Sequence, residues 1–407
     1  MKIRKQKRIT GSSRHLFVWA CSLSVLLCMN SQAAFAAAGP GQEEREKELS
    51  EAALYEAVDG YQIPEEERVD SVIEYRELGS LIYYYNSSVR EIVTGTEDSR
   101  TEYTEIRDYL RNERDSAHRD KEDAEDSGNM EDYVANSTLE EIYRSGVKSY
   151  NDSIKRLDQY SFNRNRIVLE RQLTSAAQSL MISMQSLRLQ QNYLGTAEEL
   201  YHALYDNQTV QFKAGLSTGQ TVQAAYNNWT SARNSLESLA DSESQIYQNL
   251  CLLLGVDENG SMTFGALPDV DFQKIDAIEL EKDVERAVNN NSEMINLRRT
   301  NSDGGSSGIR DKKRKVDALE KEIRIEVQRL HGEIIQTRQA YEAAATGFSG
   351  AKSTWSNAQT KYSMGMLSYA EYLQEEMSYI RKETDCKTAE LNLFQAVQDY
   401  EWAVAGI

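Results

Sequence analysis

Proline is almost missing from this chain. Three occur in 407 residues, at Pro40, Pro64 and Pro268, so none falls between Glu65 and Leu267. A proline inside a helix costs about 3 kcal/mol, and its absence leaves room for very long helices there. Cysteine is as scarce. Of four, Cys21 and Cys28 lie near the N-terminus, leaving Cys251 and Cys386 far apart and each within a helical pattern. Two such cysteines make no disulfide framework, and each reads as a small buried hydrophobe. Past Leu16–Met29 no apolar run approaches the roughly 20 residues that cross a bilayer as a helix. Histidine is limited to His15, His118, His202 and His331, and the last three fall on different helices without ligand-like spacing. No Cys-x-x-Cys, phosphate-binding glycine loop or Gly-x-Ser-x-Gly occurs. These absences argue against an enzyme and predict no cofactor and no metal.

Charge and helix formers fill the space. Charged residues make up 27% of the chain, with 65 acidic against 46 basic. Abundant Ala, Gln, Glu, Leu, Ser and Asn on that background suggest long, thinly packed helices. Residues 1–36 read as a secretory signal. Lys2, Arg4, Lys5, Lys7, Arg8 and Arg14 precede the apolar run, and Ala34-Phe35-Ala36 is a small-x-small cleavage site. Its removal takes six basic residues and no acidic one, so the mature chain carries a formal −25. That charge repels nucleic acid and anionic lipid.

An internal duplication organises the rest. Phe212-Lys213-Ala214-Gly215-Leu216-Ser217 resembles Tyr362-Ser363-Met364-Gly365-Met366-Leu367-Ser368, with one extra residue in the second copy. The offset is 150 before this turn, pairing Leu173 with Ile323, Ala177 with Val327, Leu180 with Leu330 and Met184 with Ile334. Past it, an offset of 151 pairs Leu216 with Leu367 and Gly255 with Gly406. Leu173, Ala177, Leu180, Met184, Leu187, Gln191 and Leu194 step alternately by 4 and 3, as do Ile323, Val327, Leu330, Ile334, Thr337, Tyr341 and Ala344. Such a seam marks coiled-coil packing. It is narrow and rich in alanine, so further burial must come from other chains.

The pattern predicts a lead-in over 37–64 and helices over 66–94 and 98–126. A long helix follows over 137–213, bending near Tyr160, and then one over 218–254. The connector 256–275 holds Pro268 and a short strand at Ser261–Phe264. Helices over 277–300, 310–363 and 368–405 complete the second half, with a Gly/Ser loop at 301–308 between the first two. The basic run Arg310 to Lys315 sits at a helix start and offsets neighbouring acids. Tyr83-Tyr84-Tyr85 cannot all face one way and must touch more than one helix, or offer an aromatic patch to a partner.

Two tandem copies of a long helix, an aromatic-x-x-Gly turn with Leu-Ser and a returning helix resemble the TolC-like outer membrane efflux family, as does Leu252-Leu253-Leu254-Gly255. The resemblance covers roughly 65–407. It implies an all-α fold: long antiparallel coiled-coil hairpins in two tandem repeats (65–255 and 276–407), the protomer of a TolC-like α-barrel. A charged helical insertion about 96–136 interrupts the first repeat. By this resemblance the protein is an efflux or export duct component, a homotrimer that docks on a membrane-fusion adaptor and works with an inner-membrane ABC or RND-type transporter. The implied docking turns are Gly215, Leu216 and Ser217 with Gly365, Met366, Leu367 and Ser368. Glu371, with Glu375 one helical turn on, is the implied acidic ring at the tip.

One departure stands out. Family members insert a two-strand hairpin into each repeat, and spanning strands need roughly 9–11 alternating residues each. Asn301 to Gly308 is too short for two, and Arg107 to Asp115 shows no apolar alternation. Membrane-spanning β-strands are therefore not expected, since an open barrel edge leaves backbone groups unpaired in lipid. The expected location is the cell envelope outside the cytoplasmic membrane, in a Gram-positive-type envelope; the family analogy alone would say outer membrane. The alternative is a non-conducting coiled-coil envelope scaffold.

Overall fold

A computed structural model describes residues 72–256, 262–301 and 306–407. The expected signal and lead-in lie outside these residues. Strand β1 (Val72–Ile73) pairs in parallel with β2 (Thr263–Phe264), the latter falling within the expected 261–264. Helices α1 (Leu78–Tyr85), α2 (Ser87–Asp126) and α3 (Met130–Leu157) come next, followed by α4 (Tyr160–Lys213) and α5 (Gly219–Leu254). Past β2 lie α6 (Phe272–Asp276), α7 (Leu280–Asn290), α8 (Ser292–Arg299), α9 (Ser306–Ser363) and α10 (Tyr369–Val404). At 54 and 58 residues, α4 and α9 are each about 80 Å or more long.

Four expected boundaries move, three of them at a local helix cap or break. The helix over 66–94 is not one element: Val72 and Ile73 are strand, and Asn86 is extended (φ −65°, ψ 124°). Its side-chain oxygen accepts the N–H groups of Ser88 and Val89 at 3.1 and 3.2 Å, so it closes α1 and caps α2. No boundary falls near 95–97, and α2 runs through Gly95. The helix expected over 137–213 is divided rather than bent, because Gln159 leaves the helical region and Asn163 Nδ2 donates to the Leu157 carbonyl at 2.8 Å. The charged insertion is thus an antiparallel pair, α2 with α3, joined at Gly128. In the second half, the helix expected over 277–300 is broken at Asn291, which caps α8 as Asn86 caps α2.

The pairing of the two halves also changes. Positive-φ Gly215 and Gly365, and the N-caps Thr218 and Ser368, all keep the 150 offset. Leu216 therefore pairs with Met366, not with Leu367. The shift to 151 arises only past the helices: α5 and α10 keep the 150 offset from first to last residue, and Ala405 then precedes Gly406 where Gly255 follows Leu254 directly. A matching Leu-Ser pair suggested a shift at the turn, but the requirement for a capping hydroxyl three residues past the glycine fixes the register instead.

The long helices lie side by side in the order α9, α10, α4, α5. α4 pairs with α5, α9 with α10, and α10 packs on α4. Two apolar clusters hold them. One joins Leu78, Ile82 and Val89 to Ala177, Met184, Leu250, Leu254 and Phe264, reaching Phe394 of α10. The other joins Val284 and Ala287 to Val327, Leu330, Ile334, Leu393 and Tyr400. Burying each such aliphatic side chain is worth about 1.5–3 kcal/mol. Gly255 and Gly406 close the two clusters. A Cβ on Gly255 would lie 2.1 Å from the Tyr85 carbonyl oxygen, and one on Gly406 2.5 Å from that of Asn290. Both glycines therefore let a helix end meet the break before α2 or α8.

Candidate functional site: the paired turns

The two hairpin turns are built alike. In each, glycine takes a left-handed conformation, φ 74° at Gly215 and 70° at Gly365. The next residue donates its N–H back to the last helical turn, Leu216 to the Gln211 carbonyl and Met366 to that of Lys361, both at 2.8 Å. This Schellman closure satisfies carbonyls that would otherwise be orphaned. The returning helices start on hydroxyl caps, with Thr218 accepting from Thr221 N–H and Ser368 from Glu371 N–H. Ser217 is half-buried and donates to Gln208 Oε1 at 2.9 Å. Leu367, its counterpart, is also half-buried.

What the closures leave outside is apolar. Leu216 is 79% and Met366 72% exposed, with Met364 and Phe212 beside them also in solvent. Both turns project from the same end. Glu376 of α10 feels the charge of Glu199 of α4, and each of these residues lies within about 25 Å of its turn along its helix.

The acidic positions behave differently from one another. Glu371 folds back on its own cap, accepting the Ser368 N–H at 2.9 Å and the hydroxyl at 2.7 Å. Those bonds hold its carboxyl below the usual range. It is a capping-box residue, and its charge stays exposed. Glu375 is half-buried. The carboxyl of Glu376, beside Glu375, is pushed upward by burial and by Glu199.

Behind each turn stands an aromatic ladder that sequence reasoning missed. Trp229 stacks on His202 at 4.4 Å and on Tyr205 at 5.7 Å, with Tyr226 edge-on, and its indole N–H donates to Glu198. In the second hairpin Phe348, Trp355 and Tyr362 of α9 interleave with Tyr372 and Tyr379 of α10, the closest rings 4.4 Å apart. Their spacing of seven continues the seam and was the available signal. Large rings fill the gap where aliphatic residues run out and stiffen the hairpin ends. The Tyr83–Tyr85 run diverges: Tyr83 lies under the Arg166 guanidinium at 5.4 Å, while Tyr84 and Tyr85 are exposed.

No protein-family model matches the chain, and no curated protein matches it in sequence. Solved structures do. A membrane protein from Pseudomonas aeruginosa aligns at a TM-score of 0.51 and 13% identity, over 81% of this chain and 93% of that one. The chain shares the long-helix fold of that protein. CusC aligns at 0.49 and 13% identity, over 85% of this chain and 98% of that one. The CmeC outer membrane channel of Campylobacter jejuni aligns at 0.41 and 13%, over 65% and 68%. Among the described residues the only strands are β1 and β2, two residues each. Where the first repeat departs from plain hairpins it carries the helical pair α2/α3. Among the described residues no helix is long and apolar enough to cross a membrane, and no group of His, Cys, Asp and Glu is placed to hold a metal.

Proposed function

We propose that this chain is a component of an export duct in a cell envelope, assembled as a homotrimeric ring of helices. The observation that carries the reading is one-sided burial at the two edges of the helical layer. Within the layer of long helices, α4 and α10 have a long-helix neighbour on both flanks, whereas α5 and α9 have one on a single flank, α9 also carrying the short helices α7 and α8. α9 accordingly leaves Ile325, 64% exposed, on its outer face. An edge α9 against the edge α5 of the next copy buries that face and closes the layer on itself.

At the turn end, Leu216 and Met366 supply apolar anchors for the hairpin tips of a membrane-fusion adaptor, with Gly215 and Gly365 allowing close approach. Ser217, Leu367 and Ser368 hold the turns in shape, and Glu371 with Glu375 sets an acidic mouth favouring cations. An inner-membrane transporter of ABC or RND type is the pump such a duct serves, in an envelope that demands no membrane-spanning barrel of it. Light scattering on the purified chain tests the ring, with three copies expected; a monomer at all concentrations overturns it and leaves a non-conducting scaffold. For docking, Leu216→Ala with Met366→Ala removes the anchors without disturbing either glycine. Adaptor capture should fall about tenfold or more, and unchanged capture removes the docking role.

A further inference from the structure

The end of the molecule away from the turns carries opposite charge on its two edges. On α2, Glu91, Asp98 and Glu102 are all exposed and share one face, being spaced 7 and 4 apart. That face points away from Val89 and Val93, which are buried. Arg100 and Arg107, on other faces of α2, pair with Asp158 and Asp108. On α9, Arg310, Arg314 and Lys321 are exposed on one face, spaced 4 and 7 apart, with the exposed Asp317 between the last two standing opposite Gly95 in the register given below. This stripe begins within the basic run that opens α9 and leads into Ile325 on the same outer face. Arg310 donates to the Ser306 carbonyl at 3.2 Å and Arg314 pairs with Asp311, so both side chains lie along the helix surface.

The two stripes stand at one level. Arg164 near the start of α4 bonds Asn296 of α8, and Arg100 of α2 bonds Asp158 just before α4. Lys312 of α9 donates to the Arg298 and Thr300 carbonyls at 2.7 and 2.6 Å, which places the start of α9 beside the end of α8. α2 runs away from the turns and α9 toward them. Antiparallel alignment then brings Glu102 to Arg310, Asp98 to Arg314 and Glu91 to Lys321 in a single register, because the spacings 7–4 and 4–7 are mirror images.

We infer that the Arg310–Arg314–Lys321 stripe of α9 docks on the Glu91–Asp98–Glu102 stripe of α2 in a second copy of this chain, as an intersubunit charge ladder. The inference rests on the ring reading and adds to it the contact that fixes register at the end opposite the turns. Charge pairs of this kind select the partner and its alignment more than they add affinity.

The test measures self-association of the full chain by light scattering over a concentration series. One variant carries Glu91→Lys, Asp98→Lys and Glu102→Lys, a second carries Arg310→Glu, Arg314→Glu and Lys321→Glu, and a third carries all six. Each three-site reversal should raise the concentration for half-assembly about tenfold or more, with helical circular dichroism unchanged, and the six-site exchange should restore it. Raising salt should weaken the wild type and the six-site form alike. Reversals that leave assembly at the wild-type level overturn the ladder while the ring stands. A six-site form as weak as the three-site forms overturns the pairing of these two stripes. A wild type that never assembles overturns the ring and the ladder together.

Discussion

Helices α4 and α9 are the same element of the two halves, and their seams correspond at an offset of 150: Ala177 with Val327, Leu180 with Leu330, Met184 with Ile334. Off the seam they part company. Thr174, Met181 and Ile182 are buried in α4, while the corresponding Arg324, His331 and Gly332 are half-buried or exposed. Arg324 instead reaches out to Glu281 at 3.2 Å. The seam is what a helix needs to pair with its own hairpin partner. The second buried face of α4 exists because α1 and α10 both lie against it, α1 through Leu78 and Ile82 and α10 through contacts such as Trp402 Nε1–H to Gln178 Oε1 at 2.8 Å. One repeat unit thus serves as centre or edge according to which flanking residues it carries.

The sharpest way to break the parallel between halves is at the two closing glycines. Gly255→Ala and Gly406→Ala should each destabilise by about 3 kcal/mol or more in urea unfolding, since the new methyl meets backbone atoms. Equal losses would show that the two clusters are equivalent; a neutral change at either would undo the equivalence.

Next comes the contrast of centre with edge. Met181→Ala should cost about 2–4 kcal/mol, whereas His331→Ala at the matching site should stay within about 0.5 kcal/mol. If the two losses were similar, the difference between α4 and α9 would be one of sequence only. Removing the cap hydroxyl in Ser368→Ala should cost about 1 kcal/mol, and more than Thr218→Ala, because only Ser368 has the reciprocal Glu371 bond.

The last contrast is between the helical pair α2/α3 and the rest, and it is confined to acid. Glu140 is nearly buried, bonded to Lys121 and flanked by His118 and Arg144, and the Lys121 bond leads in holding its carboxyl at about 2. A carboxyl lowered in the folded state stabilises fully above its ordinary value of 4.5, and loses that contribution as pH falls toward 2. Glu140→Gln should therefore flatten the acid loss of α2/α3 helicity between those limits in circular dichroism. An acid profile identical to the wild type would remove this pair as the cause.

Much of the architecture was legible before any coordinates. The 4–3 steps from Leu173 and from Ile323, with no proline to interrupt them, fixed the two long hairpins. Gly215 and Gly365 fixed their turns. What escaped were features needing a partner in space. Asn86 and Asn291 look like ordinary surface asparagines until their side chains are seen to cap the following helix. Phe348, Trp355 and Tyr362 are seven apart, yet only the facing Tyr372 and Tyr379 make them a ladder. Glu371 read as a free acid at the tip and proved to be bonded to the residue that starts its helix.

By itself the sequence determined that the chain is helical, doubled and hairpinned, because proline-free stretches, seam periodicity and turn glycines act within one or two helical turns of each residue. The order α9, α10, α4, α5 and the identity of the open edges were decided only by tertiary structure. So were the breaks at Asn86, Gln159 and Asn291 and the true register of the halves. Each depends on contacts between residues far apart in the chain, or on which of two local hydrogen-bonding arrangements such contacts favour.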